Sequence, residues 1–277
     1  MSESELRGCV IDLVDAARAQ VPAGITPEEA VRRFGLRIRL GDLPDGKDGV
    51  YIKDSKTIVI SQVVTSKERR NFTCYHEFVH HLVRQEDELY SYLHETYSGP
   101  GKFEGVIELL CNIGAAELII PRRKVRALIE AEGFTLAHLP RLCSDRDVSA
   151  PAALIQLVQC APHRCYGVVC EEGVPPTSIP TGQQALMPKP SKPSLYILYA
   201  AWSPSAKYSI ARYTILPGDH LLAQSYRDRC LISGEERIPF RSGNEWRVPC
   251  ETMYFRGKGY GVFNAIPPPN PDQPRLL

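Results

Sequence analysis

The chain places three of its 7 histidines within six positions, at His76, His80 and His81, in the stretch NFTCYHEFVHHLV. His76-Glu77-Phe78-Val79-His80 has the spacing H-E-x-x-H. On a helix, positions i and i+4 project from one face a turn apart, so two imidazoles can reach a single ion. Neutral imidazole suits zinc, which takes about four ligands. Glu77 stands one residue round from His76 and can reach a water on the metal without ligating the metal itself. The cation lowers the pKa of that water toward about 7, and a carboxylate can then take its proton. The chemistry expected is metal-assisted hydrolysis, most often of a peptide bond. His81 points roughly 100° away from His80 on an ideal helix and is read as a bystander.

A chance match and a pair of satisfied histidines on a buried helix compete with this reading. Context argues against both. Thr65 and Glu68 read as a capping box that starts the helix. Phe72, Tyr75, Phe78, Val79 and Leu82 supply a packing face.

A catalytic zinc site needs a third protein ligand. The extended pattern H-E-x-x-H-x-x-G-x-x-H fails, because Val83 holds the Gly position and Glu86 the last His position. Glu86, His94, Glu95, Glu104, Glu108 and Glu117 lie near in sequence. Glu108 stands out because it sits inside VIELLCNIG, where an unpaired carboxylate is costly to bury and a metal would remove the cost. Its bland alternative is a side chain that reaches solvent or pairs with an arginine. Asn112, one turn on, could support a ligand from behind. Glu117 is the runner-up and reads as a solvated helix position. Two histidines and a carboxylate suit Zn2+, while Mn2+ or Fe2+ could also be held.

Several elements must position these groups. Residues 4–19 read as a helix with Leu6, Val10, Leu13, Val14 and Ala17 at helical spacing. Thr26-Pro27-Glu28-Glu29 opens a second helix that stops near Gly35. LRIRL (36–40) alternates like a strand, and 49–54 with 56–61 read as a hairpin. VIELLCNIGAAELIIP (106–121) is an apolar helix that ends before Pro121. Three short helices follow over 122–159, broken at Gly133 and around Ser144. RCYGVVC (164–170) is strand-like. From Glu171 to Ser194 six prolines indicate a linker. Beyond it, 195–202 and 211–216 read as strands and GDHLLAQSYRDRC as a helix. Further strands are expected around Ile238 and at Met253–Phe255. The tail from Ile266 reads as extended.

The fold class expected is α+β, with a first domain over 1–121, a helical domain over 122–162, a strand and linker over 163–194 and a small α+β domain over 195–277. Hydrophobic content of 43%, charged content of 23% and a formal net charge of +1 fit a soluble globular protein and exclude a global basic field for nucleic acid. The start MSESELRGCVIDLVDAARAQ lacks the pattern of a signal peptide, and 9 scattered cysteines fit free thiols in the cytoplasm.

The combined pattern over residues 45–121 resembles the ImmA/IrrE family of zinc-dependent peptidases. It consists of a hairpin, the helix RRNFTCYHEFVHHLV, and a second helix of the form E-x-x-C/A-N-x-x-A-A-x-L-x-x-P from Glu108 to Pro121. The resemblance implies a zincin-like domain with His76, His80 and Glu108 as ligands and Glu77 as catalytic base. Gly114 falls where the family more often has an aromatic residue, which is expected to loosen packing locally. The whole arrangement looks like the IrrE branch, implying a helix-turn-helix segment and a C-terminal domain similar to GAF sensor modules. It also implies a substrate: a helix-turn-helix repressor whose cleavage releases DNA-damage and radiation-response genes. The hairpin is the candidate edge strand for an extended substrate, by strand addition. Tyr90, Tyr92 and Tyr97 could include a transition-state donor.

Other groups weigh on function. FTLAHLPRLCSDRDVSAPAALIQLV (134–158) has helix-turn-helix spacing, but Val148 to Pro162 holds no Lys or Arg for phosphate contacts, which argues against direct DNA reading there. Arg122, Arg123, Lys124 and Arg126 form a basic cluster, by default a solvated face. Cys160, Cys165, Cys170 and His163 lack the C-x-x-C knuckle of a structural zinc site. Cys74 and Cys111, on the two metal-bearing helices, could make the site sensitive to oxidation. Trp202, Tyr208, Tyr213, Trp246, Tyr254 and Phe255 could line a ligand pocket or simply form core. The expectation is a metal-dependent endopeptidase acting on a repressor. The alternative is a non-enzymatic regulator that binds DNA or protein around a structural metal.

Overall fold

Helix α1 (Glu3–Ala19) starts on a capping box in which Ser2 accepts from the Glu5 N–H and Glu5 reaches back to the Ser2 N–H. Its stripe of Leu6, Val10, Val14 and Ala17 is buried. The structure, a computed structural model, describes residues 1–22, 24–144, 148–176, 193–240 and 246–265. No described helix is long and apolar enough to cross a membrane. The chain divides into two compact units, Met1–Pro121 with Arg146–Ser149, and Arg122–Asp145 with Ala150–Leu277.

In the first unit, α2 (Pro27–Arg32) begins on the expected Thr26/Glu29 capping box. Strands β1 (Arg37–Gly41), β2 (Gly49–Ile52) and β3 (Thr57–Ser61) form a sheet of order β1-β3-β2. β2 and β3 are the antiparallel hairpin, while β1 runs parallel to β3. TIVIS of β3 is buried throughout, as a central strand covered on both faces requires. β2 lies at an edge and pairs on one side only.

Helix α3 (Lys67–Gln85) packs on β2 and β3, with α5 (Lys102–Ile119) beside it and α1 against both helices. The short α4 (Asp87–Thr96) links them. The cap of α3 is Ser66, which accepts from the Arg69 N–H at 3.3 Å, and not Thr65. Its hydroxyl also donates to Glu68 Oε2 at 2.7 Å, so the acidic partner is as expected and the cap one residue later. α5 begins a turn earlier than its apolar run and stops before Pro121.

Gly114 on α5 does the opposite of loosening the packing. A Cβ there would lie 2.8 and 2.9 Å from the Val79 methyls and 3.2 Å from Val14. Glycine is what lets α1, α3 and α5 approach this closely.

In the second unit, α6 (Arg122–Glu132), α7 (His138–Ser144) and α8 (Ala150–Gln159) are the three expected short helices. Leu136, Leu139, Ala153, Leu154 and Leu157 are buried. Residues 145–147, between α7 and α8, lie outside the described residues. Glu251 accepts from the Leu136 N–H at 2.6 Å and the Thr135 hydroxyl at 2.7 Å, tying the start of α7 to the sheet.

That sheet is wholly antiparallel, of order β5-β4-β8-β7-β6: β4 (Cys165–Gly173), β5 (Ser194–Trp202), β6 (Leu231–Arg237), β7 (Arg247–Phe255) and β8 (Lys258–Asn264). α9 (Leu221–Asp228) packs on β6, β7 and β8. Two expectations are corrected here. β4 is an inner strand of the sheet rather than a preface to a linker, because CYGVVC is buried on both faces. Residues 211–216 are no regular strand: Tyr213 sits at φ 63 and only Ile215 bridges to Tyr196. The strand expected around Ile238 is β6, which ends one residue before it. Most of the proline-rich stretch, with Pro180, Pro188 and Pro190, and the tail from Ile266 lie outside the described residues.

Candidate active site

His76 and His80 fall mid-helix on α3, and Glu108 one helix away on α5. Their donor atoms converge. The two Nε2 atoms are 3.2 Å apart, Glu108 Oε2 is 3.1 Å from His76 Nε2, and Glu108 Oε1 is 3.3 Å from His80 Nε2. Bond lengths near 2.05 Å to one tetrahedral ion require ligand atoms roughly 3.3 Å apart. The two imidazole nitrogens are spaced as one edge of such a tetrahedron, and the Glu108 carboxylate spans them with one oxygen toward each. Asn112 Oδ1 lies 3.1 Å from His76 Nδ1. Accepting from Nδ1–H, it fixes the tautomer that turns the lone pair of Nε2 toward an ion.

Burial alone makes His80 a poor cation. Desolvation, then the neighbouring His76, push its pKa down to about 4, so the ring is neutral and able to ligate. Glu77 is only 7% exposed. Desolvation, then the Glu108 charge, raise its carboxyl to about 7, opposed by a hydrogen bond from the Tyr51 N–H and by Lys47. A carboxyl poised there can both take and return a proton near neutrality. One of its oxygens lies within 4.8 Å of the ligating nitrogens of His76 and His80. That separation suits a group acting on a water beside the ion.

Glu77 is held by an unusually close strand. A Cβ on Gly49, the first residue of β2, would meet Thr73 Cγ2 at 2.5 Å and Glu77 Cγ at 3.0 Å. One turn along, the Tyr51 phenol lies 2.8 Å from His81 Nδ1. Burial lowers the His81 pKa, so its neutral ring accepts from the phenol. β2 is thus pinned to α3 at two successive turns, and the Tyr51 amide is aimed at the Glu77 carboxylate between them. His81, expected to be a bystander, is one of the two pins.

These groups line a cleft of about 610 Å³ bounded by β2, α3 and α5, with Phe72, Thr73, Arg69, Arg84 and residues 46–51 around the three donors and Glu77. His76, Glu77 and His80 likewise bring one potential ligand atom each to within 4.8 Å of one another.

Other sequence candidates lie elsewhere. His94 packs edge-on against Phe103, and Glu86 sits at the junction of α3 and α4. Glu117 is 2% exposed, not solvated as expected. The burial premise for Glu108 is also wrong, since its side chain is 57% exposed; it is convergence that singles it out. Cys74 and Cys111 are buried, and desolvation raises both thiols, Cys74 to about 12, so neither is a ready oxidation sensor. Cys160, Cys165 and Cys170 are buried free thiols, and His163 bonds Asn264 Oδ1 at 2.9 Å. Tyr92 bonds the Met1 amino group and Tyr90 approaches Arg84; neither lines the cleft. Gly49, Tyr51 and Arg84 were missed. Only Arg84 left a signal, four residues after His80 on the same helical face.

Two imidazoles and a carboxylate on one helix, a third donor from the next helix and an edge strand along the cleft define a metallopeptidase-type site. Residues 31–146 match the model of the IrrE N-terminal-like domain. The chain is 34% identical over 220 residues to the radiation response metalloprotease IrrE of Deinococcus deserti, covering 79% of this chain and 74% of that protein. It is 30% identical over 211 residues to the radiation response metalloprotease IrrE of Deinococcus radiodurans, covering 76% of this chain and 63% of that protein. A transcriptional regulator of Mycobacterium tuberculosis shares the fold, with a TM-score of 0.55 at 13% identity over 94% of this chain and 76% of that one. The chain belongs to the IrrE family.

Proposed function

We propose that the protein is a metal-dependent endopeptidase that cleaves a helix-turn-helix repressor and so derepresses radiation-response genes. The observation that carries the reading is the convergence of His76, His80 and Glu108 at 3.1–3.3 Å beside a buried Glu77. His76, His80 and Glu108 would hold the ion, with Asn112 orienting His76. Zn2+ is the expected cation, with Mn2+ or Fe2+ as substitutes in the cell. When bound, the cation supplies Lewis acidity to the water and to the scissile carbonyl. Glu77 takes a proton from the attacking water and passes it to the leaving nitrogen as the C–N bond breaks. The Tyr51 amide keeps the Glu77 carboxylate aimed. β2 offers an extended substrate a free row of backbone groups along the cleft.

The names of the Deinococcus relatives support the reaction class and the link to radiation; the repressor rests on the family resemblance. The same resemblance supports α7–α8 as a helix-turn-helix and the C-terminal sheet as a GAF-like input module. The test is a cleavage assay of a helix-turn-helix repressor encoded near this protein, with zinc- and manganese-loaded wild type and Glu77→Gln. A discrete cut, lost in the variant while metal content is kept, is expected. An intact repressor with both proteins, together with a sequence-specific shift of promoter DNA by each, would overturn the reading in favour of a non-enzymatic regulator.

A further inference from the structure

Peptide hydrolysis needs a base on one side of the scissile carbonyl and an electrophile on the other. Glu77 meets the first need. Tyrosine could have met the second, but Tyr90, Tyr92 and Tyr97 lie off the cleft, and the phenol of Tyr51, which does line it, is tied to His81 at 2.8 Å. Among the cleft's cations, Arg69 is held by Asp48 through two bonds of 2.5 and 2.7 Å. Lys47 lies toward the Glu77 end and acts on Glu77. Arg84 lies toward the opposite end.

Arg84 is one turn past His80 on the same face of α3 and lines the cleft. No carboxylate pairs with it among the described residues. Its contacts are the Tyr90 hydroxyl at 3.5 Å and the Tyr90 ring, 5.6 Å from the guanidinium carbon. The bond is at the limit of length and the stacking leaves most of the N–H donors open. A long side chain on the last turn of α3 can swing toward the N-terminal side, over His80. Its charge is already felt at His80 and Tyr51.

We propose that Arg84 is the electrophilic residue of the site, donating hydrogen bonds to the oxyanion that forms when water adds to the scissile carbonyl. This inference rests on the endopeptidase reading. As the water oxygen bonds to the carbonyl carbon, the π pair moves onto the carbonyl oxygen. Arg84 donates N–H bonds to that oxygen and transfers no proton. Glu77 holds the proton of the water until the C–N bond breaks and the nitrogen receives it. Stacking on Tyr90 parks the guanidinium beside the cleft until substrate arrives.

Two measurements test the assignment on zinc-loaded Arg84→Met, Arg84→Lys and wild-type protein. The first is steady-state cleavage of the repressor that wild type cuts. Arg84→Met is expected to lower kcat by ~100-fold with KM within ~3-fold, as for loss of one transition-state donor, and with metal content and Tm unchanged. Arg84→Lys recovers part of the rate. The second is calorimetric binding of an N-phosphoryl dipeptide amide, whose tetrahedral anion mimics the transition state. Arg84→Met weakens it ~100-fold, whereas binding of intact repressor on a Glu77→Gln background changes by less than ~3-fold. A raised KM at unchanged kcat, or equal loss of affinity for both ligands, would overturn the assignment and make Arg84 a ground-state contact. If wild type cuts no repressor, the endopeptidase reading fails for that substrate. Arg84 is then judged by the phosphoryl ligand alone, and equal affinity in wild type and Arg84→Met sinks it.

Discussion

Gly49→Ala is the substitution that tests most directly how β2 serves the site. The added Cβ would stand 2.5 Å from Thr73 Cγ2, 3.0 Å from Glu77 Cγ and 3.1 Å from Glu77 Oε1. Carbon atoms in good contact are about 3.5–4.0 Å apart, so the strand must back off by roughly 1 Å against a threonine that is itself buried. Overpacking of this kind costs about 1–3 kcal/mol. For a unit of this size, a cost of ~2 kcal/mol lowers Tm by roughly 5–12 °C. The same retreat lengthens the hydrogen bond from the Tyr51 amide to Glu77, so kcat should fall ~10-fold or more. Thermal unfolding of the zinc-loaded protein and the repressor-cleavage assay measure the two effects. Gly49→Ala combined with Thr73→Ser separates them. Serine lacks the offending methyl, so more than half of the lost Tm should return, while activity stays low because the contact with Glu77 remains. Gly8→Ala serves as the opposite control: no atom stands within 4 Å of its Cβ on α1, and alanine should stabilise the helix by ~0.5–1 kcal/mol. Wild-type Tm and activity in Gly49→Ala would refute the close approach and the role of the strand in aiming Glu77.

Two further outcomes follow from the electrostatics. In chelated protein the raised Glu77 carboxyl contributes stability that is fully present below pH 4.5 and lost as pH rises through about 7, some 3 kcal/mol. His80, depressed to about 4, contributes stability present above pH 6.5 and lost as pH falls toward 4. The two slopes oppose each other between pH 4.5 and 6.5, so denaturant unfolding in a chelator should give a nearly flat profile there for wild type, and Glu77→Gln should unmask a rise of stability with pH across that window; superimposable curves for the two proteins would count against the burial of Glu77. Ellman's reagent on native protein should modify the exposed Cys230 fast and Cys9 more slowly, leaving Cys74 and Cys111 until unfolding. Modification of Cys74 at the rate of Cys230, with release of metal, would restore the oxidation-sensor reading.

Local physics made some features readable and long-range packing hid others. The spacing of His76 and His80 is a property of the helix alone, and so is the Thr26/Glu29 capping box; both are found as written. The cap of α3 was displaced by one residue because Thr65 and Ser66 are adjacent hydroxyls, and tertiary packing decides which one starts the turn. Glu108 was chosen for burial in an apolar run, yet the helix turns its side chain outward. The hydropathy of neighbours at i±1 says little about the face a helical residue occupies. Glu117 erred in the reverse direction for the same reason. Gly49 and Gly114 each meet an element distant in sequence, so composition around them carries no trace of the close approach. β4 read as a prelude to the proline-rich stretch because its partners, β5 and β8, lie on the far side of that stretch.

On the proposed endopeptidase reading, the contrast between the two glutamates explains how one site could bind an ion and still keep a base. A ligand carboxylate that was buried before the ion arrived would be pushed toward protonation and would have to lose that proton to bind. Glu108, more than half exposed, is spared most of that desolvation. Glu77 is the reverse case: buried, raised to about 7, and stabilised as an anion only by the Tyr51 N–H and the charge of Lys47. A cation beside it would draw the carboxyl back toward the ionised form, since an opposite charge favours deprotonation. The carboxyl is then more fully ionised with the ion present than without it. On the proposed reading, exposure differences between two carboxylates on neighbouring helices thus separate the ligand from the base. The close seat of β2 on α3, permitted by Gly49, is what creates the difference.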